Sequence, residues 1–518
     1  MATMEPPPVR FSTAMRMPWV SSRACSRRAR RSVAPPAAKG TIRRISAGMV
    51  CARAGAMAAA ASRPGRWRRR MAFSSGVFAR STGTLHRAAP GASTPVRVGR
   101  WLRILSCTFV PLAPSSAPAT LCPKLPPKGW RIAMKVTGIE VFRADMAPMG
   151  EGAKHAVLVV RLSTDEGVQG LGEIGLAYGA GGRSAAHLAL ELAAAYVVGK
   201  DPFLSEAIFD AMTRKTFWGQ NRGAIFGAAV SAIDIALWDI KGRALGLPIH
   251  TLLGGACREK LRLYCNGWYR GISAPEAYID AAQGVLARGF DAMKFDPMKL
   301  DADGHSAHPN RVLEPWMQRL AIARVEAVRS AIGDADYICE LHGNMWPMDS
   351  IRFGQAIAHT RPLAMEEVCD AEDALGAREV GQATGIAIAG GERLVCGHDF
   401  RRFFEARALW LAQPDMGVAG GFTGVRAIAA LAAAHQVYVQ PHNCGGPLAT
   451  AACIQLSFAI PNFMIQEIFP VWPEDDRLSM VDAPFEKRIQ AGHMPLPTGP
   501  GLGVELDPAY LAKCERIT

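Results

Sequence analysis

Between residues 261 and 466 eight short apolar runs recur, at 261–264, 292–295, 337–341, 363–367, 386–389, 409–412, 437–440 and 464–466, with helix-like segments between them. Eight strands alternating with helices such as 275–288 and 316–332 predict a parallel barrel of the (β/α)8 type, because parallel neighbours need a crossover and a helix supplies it. In such a barrel the polar residues at the C-terminal ends of the strands meet at one mouth, where chemistry is expected.

The 518 residues carry more than a barrel, and charge marks the division. Of 59 Lys/Arg and 45 Asp/Glu, residues 1–133 hold 24 bases and a single acid, Glu5, which leaves 35 bases against 44 acids in 134–518. The basic character therefore belongs to the leader, and no nucleic-acid partner is expected for the body. Residues 1–133 are Arg, Ala, Ser and Pro without helical or strand periodicity, a composition that reads as disordered. Such an acid-poor leader also resembles an organellar transit segment, and Met134, followed at once by alternating apolar residues, fits a start called too early. The most apolar early run, 101–112, is short and broken by Arg103 and Pro111, so no membrane span is expected. Twelve cysteines without a C-x-x-C pair signal neither a zinc ribbon nor a disulfide framework. A cytoplasmic setting fits, or an organellar matrix if the leader is a transit segment.

From Met134 alternating runs and a turn at Gly167 read as a small antiparallel sheet, followed by helices over 185–197 and 228–244, the second stopped by Gly246-Leu-Pro248. The expected organisation is a leader over 1–133, an α+β capping domain over 134–258, a barrel over 259–490 and a C-terminal segment over 491–518. The glycines at 179, 181 and 182 read as a loop of the cap, since no Lys-Ser/Thr helix start follows them.

At the ends of three successive strands stand Glu340, Glu366 and Glu392, spaced 26 and 26 residues apart. Three carboxylates at one mouth repel one another unless a cation sits among them, and oxygen ligands without cysteine favour Mg²⁺. His342 lies two residues past Glu340, so a continuing strand would turn both side chains to the same face.

The stretch Ala229-Val-Ser-Ala-Ile-Asp-Ile-Ala-Leu-Trp-Asp-Ile-Lys-Gly-Arg243, and Gln413-Pro-Asp415 followed by Gly420-Gly421, resemble the signature helix and sixth-strand motif of the mandelate racemase and muconate lactonizing branch of the enolase superfamily, nearest its galactonate dehydratase group. The resemblance covers 134–518. It implies a cap, completed by C-terminal residues, over a modified barrel with a helix-poor second strand, and a Mg²⁺ site at Glu340, Glu366 and Glu392. The first ligand is usually aspartate, and Glu340 is one methylene longer. The resemblance further implies Lys294 beside the substrate carboxylate, His442 oriented by Asp415 as the base, Glu467 donating a hydrogen bond to the substrate carboxylate, and His342 protonating the departing hydroxyl. Loops 146–154 and 177–183 would select the substrate. Asp296 stands where racemases of the branch carry a second lysine, and is counted with Glu467 among the expected substrate contacts. One base and one acid suit dehydration, whereas racemisation needs a base on each face.

The expected activity is Mg²⁺-dependent dehydration of an aldonate or aldarate to a 2-keto-3-deoxy acid by a homo-oligomer. The nearest alternative is a cycloisomerase or epimerase of a related carboxylate. An alternative of another class is a non-catalytic protein that binds through its basic arm.

Overall fold

The computed structural model describes residues 134–145, 156–176, 179–470 and 476–518. The leader, the loop 146–154 and part of the loop 177–183 lie outside the described residues.

The cap is a sheet backed by helices. Strands β1 (Val136–Asp145), β2 (Ala156–Thr164) and β3 (Gln169–Ile174) pair antiparallel in register, Glu140 opposite Arg161 and Val159 opposite Glu173. Helices α1 (Gly182–Tyr196), α2 (Ser205–Asp210), α3 (Ala224–Leu245) and α4 (Ile249–Leu252) follow. Helix α3 is buried from Gly227 to Gly242, and it lies close on β3, where a Cβ at Gly170 or Gly172 would stand 2.1 or 2.0 Å from a carbonyl oxygen of the helix. It ends at Gly246, whose φ of +66° suits glycine, and its apolar, Ala- and Ile-rich sequence is what a helix buried on most sides requires.

The barrel alternates β4 (Lys260–Cys265), α5 (Pro275–Ala287), β5 (Ala292–Phe295), α6 (Pro315–Ile332), β6 (Asp336–Glu340), α7 (Pro347–Ile357), β7 (Ala364–Glu366), α8 (Ala374–Thr384), β8 (Ile388–Gly390), α9 (Gly397–Glu405), β9 (Leu411–Ala412), α10 (Gly421–Ala434), β10 (Tyr438–Val439), α11 (Pro447–Ala459) and β11 (Gln466–Ile468). Neighbours pair in parallel from β4 to β10, and β11 returns to pair β4. The ring closes between β10 and the approach to β11 through the Val439–Phe463 bridge and the bond from Met464 N–H to Val439 O, 3.1 Å. Helices α5, α6, α7 and α11 open with proline in the first turn, where its missing N–H costs nothing.

All eight predicted strands are present. The position of the helix-poor strand is not as the resemblance implied: β5, the second barrel strand, leads to the 18-residue α6, whereas β11 leads, among the described residues, to the 3-10 turns Asp476–Met480 and Phe485–Arg488. The chain then adds β12 (His493–Pro495) to the outside of β4, turns through α12 (Pro508–Leu511), and sends β13 (Glu515–Ile517) back to pair with β1. Asp239 secures this return, accepting from Leu502 N–H at 2.8 Å, Leu171 N–H at 2.9 Å and Arg243 Nε at 2.7 Å.

Cap and barrel meet along the two sequence motifs. Ser231, Asp234 and Trp238 of α3 bind the start of α10, through Gly420 N–H to Ser231 Oγ at 2.8 Å, Thr423 N–H to Asp234 Oδ2 at 3.0 Å and Trp238 Nε1–H to Thr423 Oγ1 at 3.0 Å. A Cβ at Gly421 would stand 2.5 Å from Asp234 Oδ2, so the glycine pair is the clearance that this docking needs. No helix among the described residues is long and apolar enough to cross a membrane. The eight cysteines among them are free thiols.

Candidate active site

Parallel register sets Glu340 level with Glu366, and Glu392 reaches the same cluster from the turn beyond β8. Glu340 pairs with Glu366 across β6 and β7, Glu392 follows the end of β8, and one carboxylate oxygen from each lies within 4.8 Å of the others. Glu340 and Glu366 are 1% and 0% exposed, so their charge has little water to answer it. Lys294 Nζ, from β5, meets Glu340 Oε2 at 3.1 Å, Glu366 Oε1 at 2.5 Å and Glu467 Oε1 at 3.0 Å. Gln413, just past β9, donates Nε2–H to Glu366 Oε2 at 2.6 Å. Burial and the neighbouring Glu340 push the Glu366 carboxyl well above the usual carboxylate range. Burial alone would push Glu340 up as well, but His342 and Lys294 hold it well below that range. Carboxyls set so close in a dry setting repel one another when both are charged. Three oxygen donors, crowded together and without a sulfur ligand, have the character that a hard divalent cation such as Mg²⁺ satisfies.

One imidazole stands at each end of this row. His442, past β10, donates or accepts through Nδ1 with Asp415 Oδ2 at 2.6 Å, and its Nε2 lies 3.1 Å from Glu392 Oε2. Asp415 and His442 are themselves bridged in parallel, so the β9–β10 pairing sets the two side chains side by side. Burial opposes charge on His442, yet Cys444, Glu392 and the bond from Asp415 together hold the ring well above the ordinary histidine range.

At the Glu340 end, His342 Nδ1 meets Asp296 Oδ2 at 2.7 Å, and His342 N–H donates to Glu340 Oε1 at 2.8 Å. The reason His342 points inward differs from the expectation of a continuing strand. Strand β6 stops at Glu340, and His342 sits in a left-handed turn with φ +50°, its carbonyl accepting from Arg393 at 2.8 Å. Burial works against a proton on this ring, and Glu340 and Asp296 outweigh it, raising the pKa to about 9.

Asp296 and Glu467 both have protein partners. Asp296 is 1% exposed, with Oδ2 engaged by His342 and Oδ1 accepting Met298 N–H at 2.8 Å, so it stands behind the histidine. Glu467 accepts through both oxygens, from Asn266 Nδ2 at 2.8 Å and Asn443 N–H at 2.9 Å. Burial pushes its carboxyl up, but Lys294, His442 and the Asn443 N–H outweigh burial and hold it below the usual range.

Sequence reasoning passed over three residues. His308, from the loop between β5 and α6, has Nδ1 3.5 Å from Asp296 Oδ2 and its ring edge-to-face with His342 at 5.7 Å. Glu173, on β3 of the cap, accepts Gly446 N–H at 2.5 Å and Ala449 N–H at 3.0 Å at the start of α11, and so pins the loop that follows His442. Gln413 lay inside a recognised motif without a role of its own. Two further histidines have partners of their own: His250 is buried against Gln455 Oε1 at 3.0 Å, and His359 pairs with Glu326 on the surface at 3.6 Å.

Comparison with known proteins agrees with the arrangement. Residues 138–254 match the family model of the mandelate racemase and muconate lactonizing enzyme N-terminal domain, and residues 277–510 match that of the enolase C-terminal domain-like family. A D-galactonate dehydratase of Variovorax paradoxus is 32% identical over 387 residues, 74% of this chain and 95% of that one. The chain belongs to the enolase superfamily. Within this superfamily it is also 36% identical over 318 residues to a D-gluconate dehydratase of Thermoproteus tenax, a match that spans 61% of this chain and 62% of that one. A solved structure of an enolase superfamily member from Salmonella Typhimurium is 35% identical with a TM-score of 0.70, covering 74% of this chain and 99% of the other. As a superfamily member of the mandelate racemase and muconate lactonizing branch, the chain carries both halves of the architecture, cap and barrel.

Proposed function

We propose that the chain is a Mg²⁺-dependent dehydratase of an acid sugar, an aldonate or aldarate, releasing water to give a 2-keto-3-deoxy acid. The observation that carries this reading is the row of groups at the mouth: an imidazole backed by aspartate at the Glu392 end, three glutamates, and a second imidazole backed by aspartate at the Glu340 end. The histidines follow the third and seventh barrel strands, which face each other across an eight-stranded ring. Sugar acid dehydratases are among the relatives, which supports the substrate class.

The difficulty in the reaction is the weak acidity of a proton beside a carboxylate. Held by Glu340, Glu366 and Glu392, Mg²⁺ would withdraw charge from the substrate carboxylate and stabilise what develops as the proton leaves. Lys294 adds a fixed positive charge beside the same carboxylate. Asp415 accepts from Nδ1–H of His442; with a cation among the glutamates to answer Glu392 in place of a proton on the ring, Nε2 would be left to take the proton from carbon 2. The electron pair of that C–H bond is first held as the enediolate of the substrate carboxylate; in a second step it forms the double bond between carbons 2 and 3 as the C3–O bond breaks. His342, its Nδ1 held by Asp296, gives the Nε2 proton to the departing hydroxyl, which leaves as water. The resulting enol takes up a proton at carbon 3 and becomes the keto acid.

Screening aldonic and aldaric acids for keto-acid release, with and without chelator, tests the proposal. Keto-acid release that stops in excess chelator and returns with Mg²⁺ is the expected result. A product that keeps every oxygen of its substrate would overturn dehydration in favour of the cycloisomerase or epimerase reading, and full turnover in chelator would overturn the metal.

A further inference from the structure

His308 is a third imidazole at the mouth, and its placement is built with some care. The loop between β5 and α6 folds on itself through bridges Leu300–Ser306 and Asn310–Val312 and is tied to the turn after β6 by Arg311 N–H to Asn344 O at 2.8 Å. Beneath it the buried Arg324 donates to Pro297 O and Leu300 O at 2.8 and 2.7 Å and to Ser273 O at 2.6 Å, so the base of the loop is tied to one guanidinium. His308 is thus presented from a braced loop and not from a loose one.

The ring has one occupied nitrogen. Nδ1 lies 3.5 Å from both Asp296 Oδ2 and Asn344 Nδ2, while the shorter bond to the same aspartate oxygen belongs to His342 at 2.7 Å. Nε2 has no protein partner among the described residues, and 34% of the side chain is open to solvent. Burial lowers the pKa of the ring despite the nearby Asp296, which keeps it neutral at pH 7. A neutral imidazole with a free nitrogen is a poor electrostatic partner and a good hydrogen-bond partner for hydroxyl groups.

The order of groups along the mouth gives the position it would read. With the substrate carboxylate at the three glutamates and carbon 3 at His342, the next hydroxyl-bearing carbon falls beside the ring in contact with His342. We infer that His308 is a specificity-determining residue that reads the hydroxyl configuration at carbon 4 of the acid sugar through Nε2. The inference rests on the dehydratase reading above and extends it to a named substrate position. Discrimination at such a site comes from a polar group that is left unpaired when the hydroxyl points elsewhere.

The test compares wild type, His308→Ala and His308→Gln on pairs of aldonic acids that are epimers at carbon 4, with keto-acid release and exchange of the carbon-2 proton in heavy water both measured. In His308→Ala we expect kcat/KM for the preferred epimer to fall about 10- to 100-fold, mainly through KM, and the preference between epimers to shrink about tenfold. His308→Gln, which keeps a hydrogen-bonding side chain, should recover part of the preference, and carbon-2 exchange should persist in both variants. An equal fall for both epimers, or a fall confined to kcat, would overturn the inference and leave the loop a structural role only. Wild-type enzyme that releases keto acid but ignores configuration at carbon 4 would overturn it as well. Wild-type enzyme that releases no keto acid from any member of the panel would instead overturn the dehydratase reading on which it rests.

Discussion

His442 meets Asp415 at 2.6 Å and His342 meets Asp296 at 2.7 Å, yet the first ring is 8% exposed and the second 33%. The backbone beneath them differs in the same sense. His442 and Asp415 continue two paired strands, whereas His342 leaves β6 through a left-handed turn and reaches back to β5. The contrast matches two demands of an elimination. A base that removes a proton from carbon works best where water cannot compete or screen, and an acid whose product is a water molecule works best where that water has a way out. On the dehydratase reading, one bonding pattern set at two depths would serve both.

The harshest way to break the comparison is to remove the row that joins the pairs. Glu366→Gln or Glu392→Gln should lower keto-acid release by about 10³-fold or more, the scale on which loss of preorganised charge is felt, while circular dichroism stays that of the folded wild type. Unchanged turnover in either variant would mean that the two imidazoles act without the glutamates. The histidines themselves should fail differently. Both His442→Asn and His342→Asn should lose elimination by roughly 10²- to 10⁴-fold, but in heavy water His342→Asn should still exchange the carbon-2 proton and His442→Asn should not. The opposite pattern would place the base at the Glu340 end.

The aspartates sharpen the comparison at lower cost. Asp296→Asn leaves both rings and the glutamates in place and removes only the charge behind His342. We expect about 10- to 100-fold slower elimination with carbon-2 exchange preserved, the range that groups supporting a reactive side chain commonly carry. Equal loss of exchange and elimination would show that Asp296 supports the whole site and not one end.

Asp234, in the cap, is the control with no imidazole to serve. Burial raises its carboxyl to about 7, against the bond from Thr423 and the more distant Lys241, and its Oδ1 has no hydrogen-bond partner. The folded state therefore binds this proton more tightly than the unfolded chain does. The resulting stabilisation is complete below the unfolded carboxylate pKa and is lost as pH rises through about 7. Asp234→Asn should flatten that part of the melting-temperature profile between pH 4 and 7 and leave the protein at least as stable above it. A profile parallel to wild type would show that Asp234 is charged throughout.

The fold was legible because barrel strands are short apolar runs at regular intervals, and periodicity of that kind survives without any knowledge of packing. The three glutamates were legible because each stands at or just past the C-terminal end of a barrel strand, where side chains converge on one mouth; strand register levels only Glu340 with Glu366, and Glu392 joins them from the turn beyond β8. Asp296 and His308 were not. The first was assigned to the substrate because it follows Lys294 by two residues, but the left-handed turn at His342 brings that ring over the carboxylate, and a positive φ at a histidine leaves no mark in the sequence. The second sits in a long loop whose path depends on Arg324 binding carbonyl oxygens of residues before and within it, a long-range bond that no local pattern announces. Glu173 was hidden by distance as well, 273 positions from the amide that it accepts.

The antiparallel pairing of β13 with β1 has a consequence for how the enzyme is made. Arg143 and Glu515 are joined across 372 positions, and on a ribosome adding roughly 5–20 residues per second the edge of the cap sheet waits some 20 to 70 seconds for its last strand. Throughout that interval the cap offers the unpaired outer edge of β1, although the barrel ring can close as soon as β11 reaches β4. Until β13 arrives, that edge is open to pairing with a strand of another copy, so the protection of the cap sheet against edge-to-edge association comes from a segment made on the far side of the barrel.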